Sequence, residues 1–193
     1  EAEGMMPDRI RLFVALDPPA TLVASLSEVL AEVRPLAPDE KWSQVEKLHL
    51  TLAFLGHLST ELLEPIRQAL AGVVAHREAF SIHVGGAGTF GRGARARVLW
   101  LGVDGGEALL ALQAEVAAAL RPIGYAEERP FKAHLTLARA RRPRGSPALE
   151  KARDALAALD LGSFSARELV LYRSELSPRG AHYTALATFP LGG

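Results

Sequence analysis

His49-Leu50-Thr51-Leu52 returns unchanged as His134-Leu135-Thr136-Leu137, 85 residues later. The two copies sit in longer stretches of the same character, Lys47-Leu-His-Leu-Thr-Leu-Ala-Phe-Leu-Gly56 and Pro130-Phe-Lys-Ala-His-Leu-Thr-Leu-Ala-Arg139. Each is apolar and short, which predicts strands over about 48–55 and 133–138. Side chains alternate along a strand. His49 and Thr51 therefore share one face and Leu50 and Leu52 the other, and the same holds for His134 and Thr136 against Leu135 and Leu137. The leucines are expected to enter a core. The two His-Thr pairs are expected to face a surface or a cleft.

Outward from the motifs, the pattern repeats. Residues 10–16 (IRLFVAL) read as a buried strand. Asp17-Pro18-Pro19 ends it and opens a helix whose apolar face is Leu22, Leu26, Val29, Leu30 and Val33. Pro35 and Pro38 stop that helix, and 41–45 reads as a short strand. The first motif strand closes at Gly56. Ser59-Thr60-Glu61 opens the next helix, with Leu63, Ile66, Leu70 and Val73 as its stripe. A strand at 80–84 and a loop over 85–97 follow. The second half then gives a strand at 98–103, a helix at 107–120, the second motif strand and a basic loop. It ends with a helix at about 148–159 and strands near 164–171 and 183–189, joined through Pro178-Arg179-Gly180. Shifting the first half by 85 lays the strand at 10–16 on 95–101, the helix at 20–33 on 105–118, and the helix at 61–75 on 146–160. A period this long is a duplicated unit rather than a solenoid. The expectation is one α+β domain over 5–193, with repeat lobes at about 8–90 and 95–190. Pseudo-two-fold symmetry would set antiparallel-rich sheets along a central cleft, with helices outside. Residues 1–4, ahead of Met5, are set aside as an appended remnant.

Composition narrows the function classes. The 193 residues suffice for a sizeable core, and 49% are hydrophobic. Lys and Arg number 22 and Asp and Glu 22, so a basic site must be local. Without cysteine there is no disulfide, thiolate metal site or cysteine nucleophile. No apolar run reaches membrane-span length and no signal peptide is visible. A cytoplasmic monomer is expected. Gly86-Ala-Gly88-Thr-Phe-Gly91 fits GxGxxG but precedes an arginine-rich loop and a strand, not a helix, so it is rejected as a dinucleotide site. GxxxxGK, HExxH and GxSxG are absent, which argues against an NTP-dependent ligase, a zincin and an α/β-hydrolase.

Two histidines suit one chemistry well. One ring can be neutral while the other carries a proton near pH 7. A base on one side of phosphorus and an acid on the other is what in-line opening of a cyclic phosphodiester needs. Threonine hydroxyls beside the rings can hold non-bridging phosphoryl oxygens. No metal or cofactor is required. The near-symmetry of the two motifs leaves open which ring is the acid.

These residues resemble the two-histidine (2H) phosphoesterases, most closely the RNA 2′,3′-cyclic phosphodiesterases of the LigT-like, 2′-5′ RNA ligase group. The opening RLFVALDPP, Val98-Leu-Trp-Leu-Gly102 and Leu171-Tyr-Arg-Ser-Glu-Leu176 extend the resemblance over nearly the whole chain. One position departs, since Ala133 stands where proline commonly precedes the second histidine. The resemblance implies a bilobal α+β fold that hydrolyses an RNA 2′,3′-cyclic phosphate end, or a small cyclic nucleotide, to a 2′-phosphate. His49 would be the proton donor, His134 the acceptor, and Thr51 and Thr136 the phosphate ligands, with Arg139 a further substrate contact. Some members also join RNA through a 2′-5′ bond without ATP. A nucleotide-binding module without turnover is the reading from another class, disfavoured because both motifs are complete.

The remaining signals are weaker. Arg139, Arg141, Arg142 and Arg144, and Arg92, Arg95 and Arg97, could track RNA phosphates or be solvated loop charge. Strand phase from Leu137 points Arg139 inward unless the strand ends or bulges there. Trp42 and Phe131 could stack on a base or pack in the core. His57, His76, His83 and His182 are scattered, and no metal site is expected from them.

Overall fold

The computed structural model describes residues 6–192. The reading of 1–4 as a remnant lies outside them. The first half supplies β1 (Arg9–Leu16), α1 (Ala20–Val33), β2 (Lys41–Trp42), β3 (Leu50–Ser59), α2 (Leu63–Val74) and β4 (Phe80–Phe90). The second supplies β5 (Val98–Asp104), α3 (Gly106–Leu120), β6 (His134–Arg139), α4 (Ala148–Leu156), β7 (Asp160–Ala166), β8 (Glu168–Ser177) and β9 (Gly180–Pro190). The strands form two antiparallel sheets, ordered β3-β1-β8-β9 and β2-β6-β5-β4-β7. The α+β expectation holds. Among the described residues no helix is long and apolar enough to cross a membrane.

The helices form where the apolar spacing puts them. In α1 Leu22, Leu26, Leu30 and Val33 are buried, and in α2 Ile66, Leu70, Val73 and Val74. These stripes meet the motif leucines, Leu50, Leu52, Leu135 and Leu137, in one core that spans both sheets. Each such leucine contributes about 1.5–3 kcal/mol by leaving water. A second, smaller cluster of Phe13, Ala15, Val170 and Tyr172, with Tyr183 against it, is separate from that core.

The register of the sheets carries the duplication. In one, Phe13, Val14, Ala15 and Leu16 pair with Phe54, Ala53, Thr51 and Leu50; in the other, the residues 85 further on, Val98, Leu99, Trp100 and Leu101, pair with Arg139, Ala138, Thr136 and Leu135. Even the irregularity is shared. Leu52 in β3 and Leu137 in β6 are each skipped in the pairing, as bulge residues are.

The sheets do not divide the chain at the repeat boundary. β4 follows α2 yet pairs with β5, and β8 and β9 follow α4 yet join β1. Each sheet thus holds strands from both halves.

Several boundaries differ from the sequence reading. β3 does not close at Gly56 but runs to Ser59, with Leu55 skipped as a bulge between Leu12 and Phe13. β4 continues through residues read as a loop, to Phe90. There Gly88 lies opposite Trp100, and a Cβ on it would come within 2.2 Å of the Trp100 ring. That explains the glycine without any bound nucleotide. The strand expected near 164–171 is two strands split at Arg167, where the chain leaves one sheet for the other: Ala166 pairs with Phe80 and Glu168 with Pro190. The short strand at 41–45 contracts to β2 and a 3-10 turn at Val45–Lys47. α4 stops at Leu156, short of 159.

Candidate active site

β3 is the edge of its sheet, β6 lies one strand in from the edge of the other, and the two strands touch. This seam is where the His-Thr pairs stand. One cavity, of about 240 Å³, has His49, Thr51, Thr136 and Arg139 in its wall; a second, of about 1010 Å³, has His134, Thr136 and Arg139. Thr136 and Arg139 belong to both, so both motifs open onto one continuous cleft.

His49 directly precedes β3 and is held from several sides. Its ring centroid lies 4.4 Å from that of Tyr172, 5.2 Å from Tyr183 and 5.6 Å from Phe13. The small aromatic cluster is therefore the wall of the histidine pocket. Nδ1 stands 2.6 Å from Oδ1 of Asp17, the residue that follows β1. The other carboxylate oxygen, Oδ2, accepts from the Tyr172 hydroxyl at 2.5 Å. Burial and the Asp17 carboxylate push the Tyr172 phenol well above its ordinary range. It stays a neutral donor. The Lys47 ammonium donates to the Ala181 carbonyl at 2.5 Å, tying the turn before His49 to the hairpin that carries Tyr183.

His134 opens β6, opposite Gly102. Its ring meets Phe90 edge-on, with centroids 5.0 Å apart. Nδ1 lies 2.7 Å from the Lys132 carbonyl. A carbonyl only accepts, so Nδ1 carries the hydrogen and Nε2 of the neutral ring keeps its lone pair. Burial holds this ring below the ordinary histidine range, only partly countered by the Lys132 carbonyl, with the charges of Arg139 and Lys132 adding to the lowering. The Lys132 ammonium rests over Trp100, 4.4 Å from the ring centroid.

Other expected residues divide. Arg139 is exposed and faces the cleft, because the bulge at Leu137 restores it to the phase of Thr136. Arg95, Arg97 and Arg144 line the larger cavity with it. Arg141 and Arg142 do not. The Arg141 side chain donates to the Asp39 carbonyl and its backbone to Glu40, while Arg142 borders a separate depression beside these acids. Phe131 lines a cavity beside Thr51. Trp42 is not brought to the cleft: its indole donates to the Ala37 carbonyl and its ring packs on the core. Among the described residues no three of His, Asp and Glu gather as metal ligands do.

Sequence reasoning overlooked Asp17 and Tyr172, which back the His49 ring, and Arg129 and Phe54, which line the cleft. Phe54 is 48% exposed beneath the Arg11 guanidinium, 4.6 Å from its centroid. A signal for Phe54 existed, since it stands 85 residues before Arg139 in the repeat.

Comparison with known proteins follows the same lines. A family model described as the 2′-5′ RNA ligase superfamily matches residues 18–178. An RNA 2′,3′-cyclic phosphodiesterase of Methanothermobacter thermautotrophicus is 31% identical over 183 residues, which cover 95% of this chain and 100% of that one. Among solved structures, a protein of Thermus thermophilus aligns with a TM-score of 0.80 and 28% identity, over 94% of this chain and 98% of its own. LigT of E. coli, complexed with 3′-AMP, aligns with a TM-score of 0.78 and 27% identity, over 96% and 99%.

Proposed function

The chain belongs to the 2′-5′ RNA ligase superfamily, the LigT-like two-histidine phosphoesterases, and we infer from this and from its cleft that it is an RNA 2′,3′-cyclic phosphodiesterase. Its substrate is an RNA end bearing a 2′,3′-cyclic phosphate. In the reading we favour, Nε2 of His134 takes a proton from water as the water oxygen bonds to phosphorus. The bond from phosphorus to the 3′ oxygen breaks on the opposite side, and His49 gives that oxygen its proton. The products are a 2′-phosphate and a free 3′-hydroxyl. Thr51 and Thr136 donate to the non-bridging oxygens, and Arg139 offers a positive charge as negative charge builds there.

The observation that carries this reading is the unlike setting of two otherwise like rings. Burial lowers the titration of His134, which favours the neutral ring that a base needs. His49 instead turns Nδ1 to the Asp17 carboxylate, which leaves Nε2 to deliver a proton. A module that only bound nucleotides would have no use for either arrangement.

Two measurements test it. His49→Ala and His134→Ala, each folded by circular dichroism, are expected to lose at least about 10²-fold in kcat on 2′,3′-cyclic AMP, the lower end of what a positioned acid or base supplies. Wild-type turnover by either variant removes the reading. Chromatography of the wild-type product is expected to give 2′-AMP. Recovery of 3′-AMP instead would reverse the orientation of the nucleoside and exchange the two roles.

A further inference from the structure

The repeat makes the two halves comparable residue by residue, and at the catalytic histidines it fails in one concerted way. Asp17 and Gly102 are 85 apart, the same offset as the histidines, so Gly102 occupies beside His134 the place that Asp17 holds beside His49. Tyr172 lies opposite Phe13 on the neighbouring strand, and Phe90 lies opposite Val98, the repeat partner of Phe13. Phe90 is therefore the counterpart of Tyr172. Each of the pair touches its own histidine ring.

At both positions the polar member stands beside His49 and the apolar one beside His134. Where His49 meets a carboxylate backed by a phenol, His134 meets a backbone carbonyl and a bare phenyl ring. Nor could a carboxylate be accommodated at 102 without local movement. A Cβ there would lie 2.4 Å from the Gly85 carbonyl oxygen. The asymmetry thus extends to the backbone of β4.

We propose that Asp17 and Tyr172 are the positioning residues that make His49 the acid, and that the Gly102–Phe90 pair keeps His134 free of any such partner. The inference rests on the assignment of His49 as donor made above. Asp17 acts through the ring and not on the substrate. Its carboxylate accepts the Nδ1 hydrogen, which fixes the ring orientation and leaves Nε2 to hold the proton that goes to the leaving oxygen. A negative partner favours the protonated ring. Tyr172 fixes the carboxylate by donating to its second oxygen. The other titratable and charged groups facing this pocket are Tyr183 at the ring and Arg11, Lys47 and Arg139 along the wall. The Lys47 ammonium is engaged by Ala181, and none of these places a second carboxylate at the ring.

The test is Asp17→Asn, which keeps the shape and removes the charge, followed on 2′,3′-cyclic AMP across pH and by NMR of the histidine rings. A donor must hold its proton, so rate is lost as pH rises through its titration. Asp17→Asn is expected to move that alkaline limb to lower pH and to lower kcat at about pH 8 by roughly 10- to 10²-fold, less than deleting the ring, while KM changes less than about two-fold. The His49 ring signals should move as the Nδ1–carboxylate hydrogen bond is weakened, and those of His134 should not. Tyr172→Phe should shift the same limb in the same direction by less. An unmoved limb with unmoved His49 signals overturns the proposal, as does an equal loss at every pH. Neither result touches the two-histidine reading, which fails only if His49→Ala or His134→Ala keeps turnover.

Discussion

At the scale of single residues, four side chains could be read from the chain and their partners could not. His49, Thr51, His134 and Thr136 follow from alternation, a local rule that needs only neighbours in sequence. Asp17 and Tyr172 reach His49 from 32 and about 120 residues away and had no local signature. Trp42 is the opposite case. An aromatic beside a motif strand invites a stacking role, but the half-buried Trp42 indole donates to the Ala37 carbonyl and is held away from the cleft. The residue scale also carries a pH prediction. As the proposed base, His134 must be neutral to accept a proton, so rate should fall as pH drops through its titration. Burial lowers that titration, so the neutral form persists in more acid solution than it does for an ordinary histidine. The acidic limb of kcat against pH is expected below about 6.5, the unperturbed value, in turnover of 2′,3′-cyclic AMP. The limbs belong to the coupled pair, so ring NMR is the check on which histidine moves. A limb above the unperturbed value would contradict a desolvated base.

At the scale of elements, periodicity located the helices and most strands, and failed where pairing rather than local sequence decides. Bulges at Leu52, Leu55 and Leu137 come from cross-strand register, which no window of sequence contains. Their consequence reaches the cleft at Arg139. Strict alternation from Leu137 sends that side chain into the core, and one extra residue returns it to the cleft. The split at Arg167 was hidden for the same reason, because only the partners of Ala166 and Glu168 reveal two strands. Close approach of β4 to β5 yields a prediction at this scale. Gly102→Ala would set a Cβ 2.4 Å from the Gly85 carbonyl, a backbone atom with no rotamer to yield. Overpacking of this kind costs about 1–3 kcal/mol. Thermal unfolding should therefore fall by several degrees, at roughly 2–4 °C per kcal/mol for a chain of this size. Because Gly102 pairs with His134, kcat should drop as well. An unchanged melting temperature would show that β4 gives way freely at Gly85 and Gly86, which its pairing with β5 skips.

At the scale of the whole molecule, duplication set two like motifs face to face, and the surroundings then made them unlike. The pairing of β4 with β5 and of β8 with β1 binds each half into both sheets, so the cleft is walled by strands of both halves. Its charge is also uneven. The larger cavity, on the His134 side, is lined by Arg95, Arg97, Arg129, Arg139 and Arg144, whereas the smaller one at His49 sets Arg11, Lys47 and Arg139 among Phe13, Phe54 and Tyr183. The chain has no net charge to attract a polyanion from a distance, so any grip on RNA beyond the terminal nucleotide must come from this local arginine field. Each phosphate neutralised by such a side chain releases counterions and adds about −0.7 to the log–log slope of affinity against salt for a single strand. Binding of a short RNA ending in a 2′,3′-cyclic phosphate, measured by fluorescence anisotropy with His134→Ala to block turnover, is expected to weaken with salt by a slope of about −2 or steeper, whereas a mononucleotide should respond much less. Replacing Arg95 and Arg144 together by alanine should flatten the RNA slope by about one or more and leave hydrolysis of 2′,3′-cyclic AMP near wild type, since neither lies in a histidine motif. A slope for RNA no steeper than for the mononucleotide would mean that the strand leaves the cleft by another route and that these arginines serve only as solvated charge.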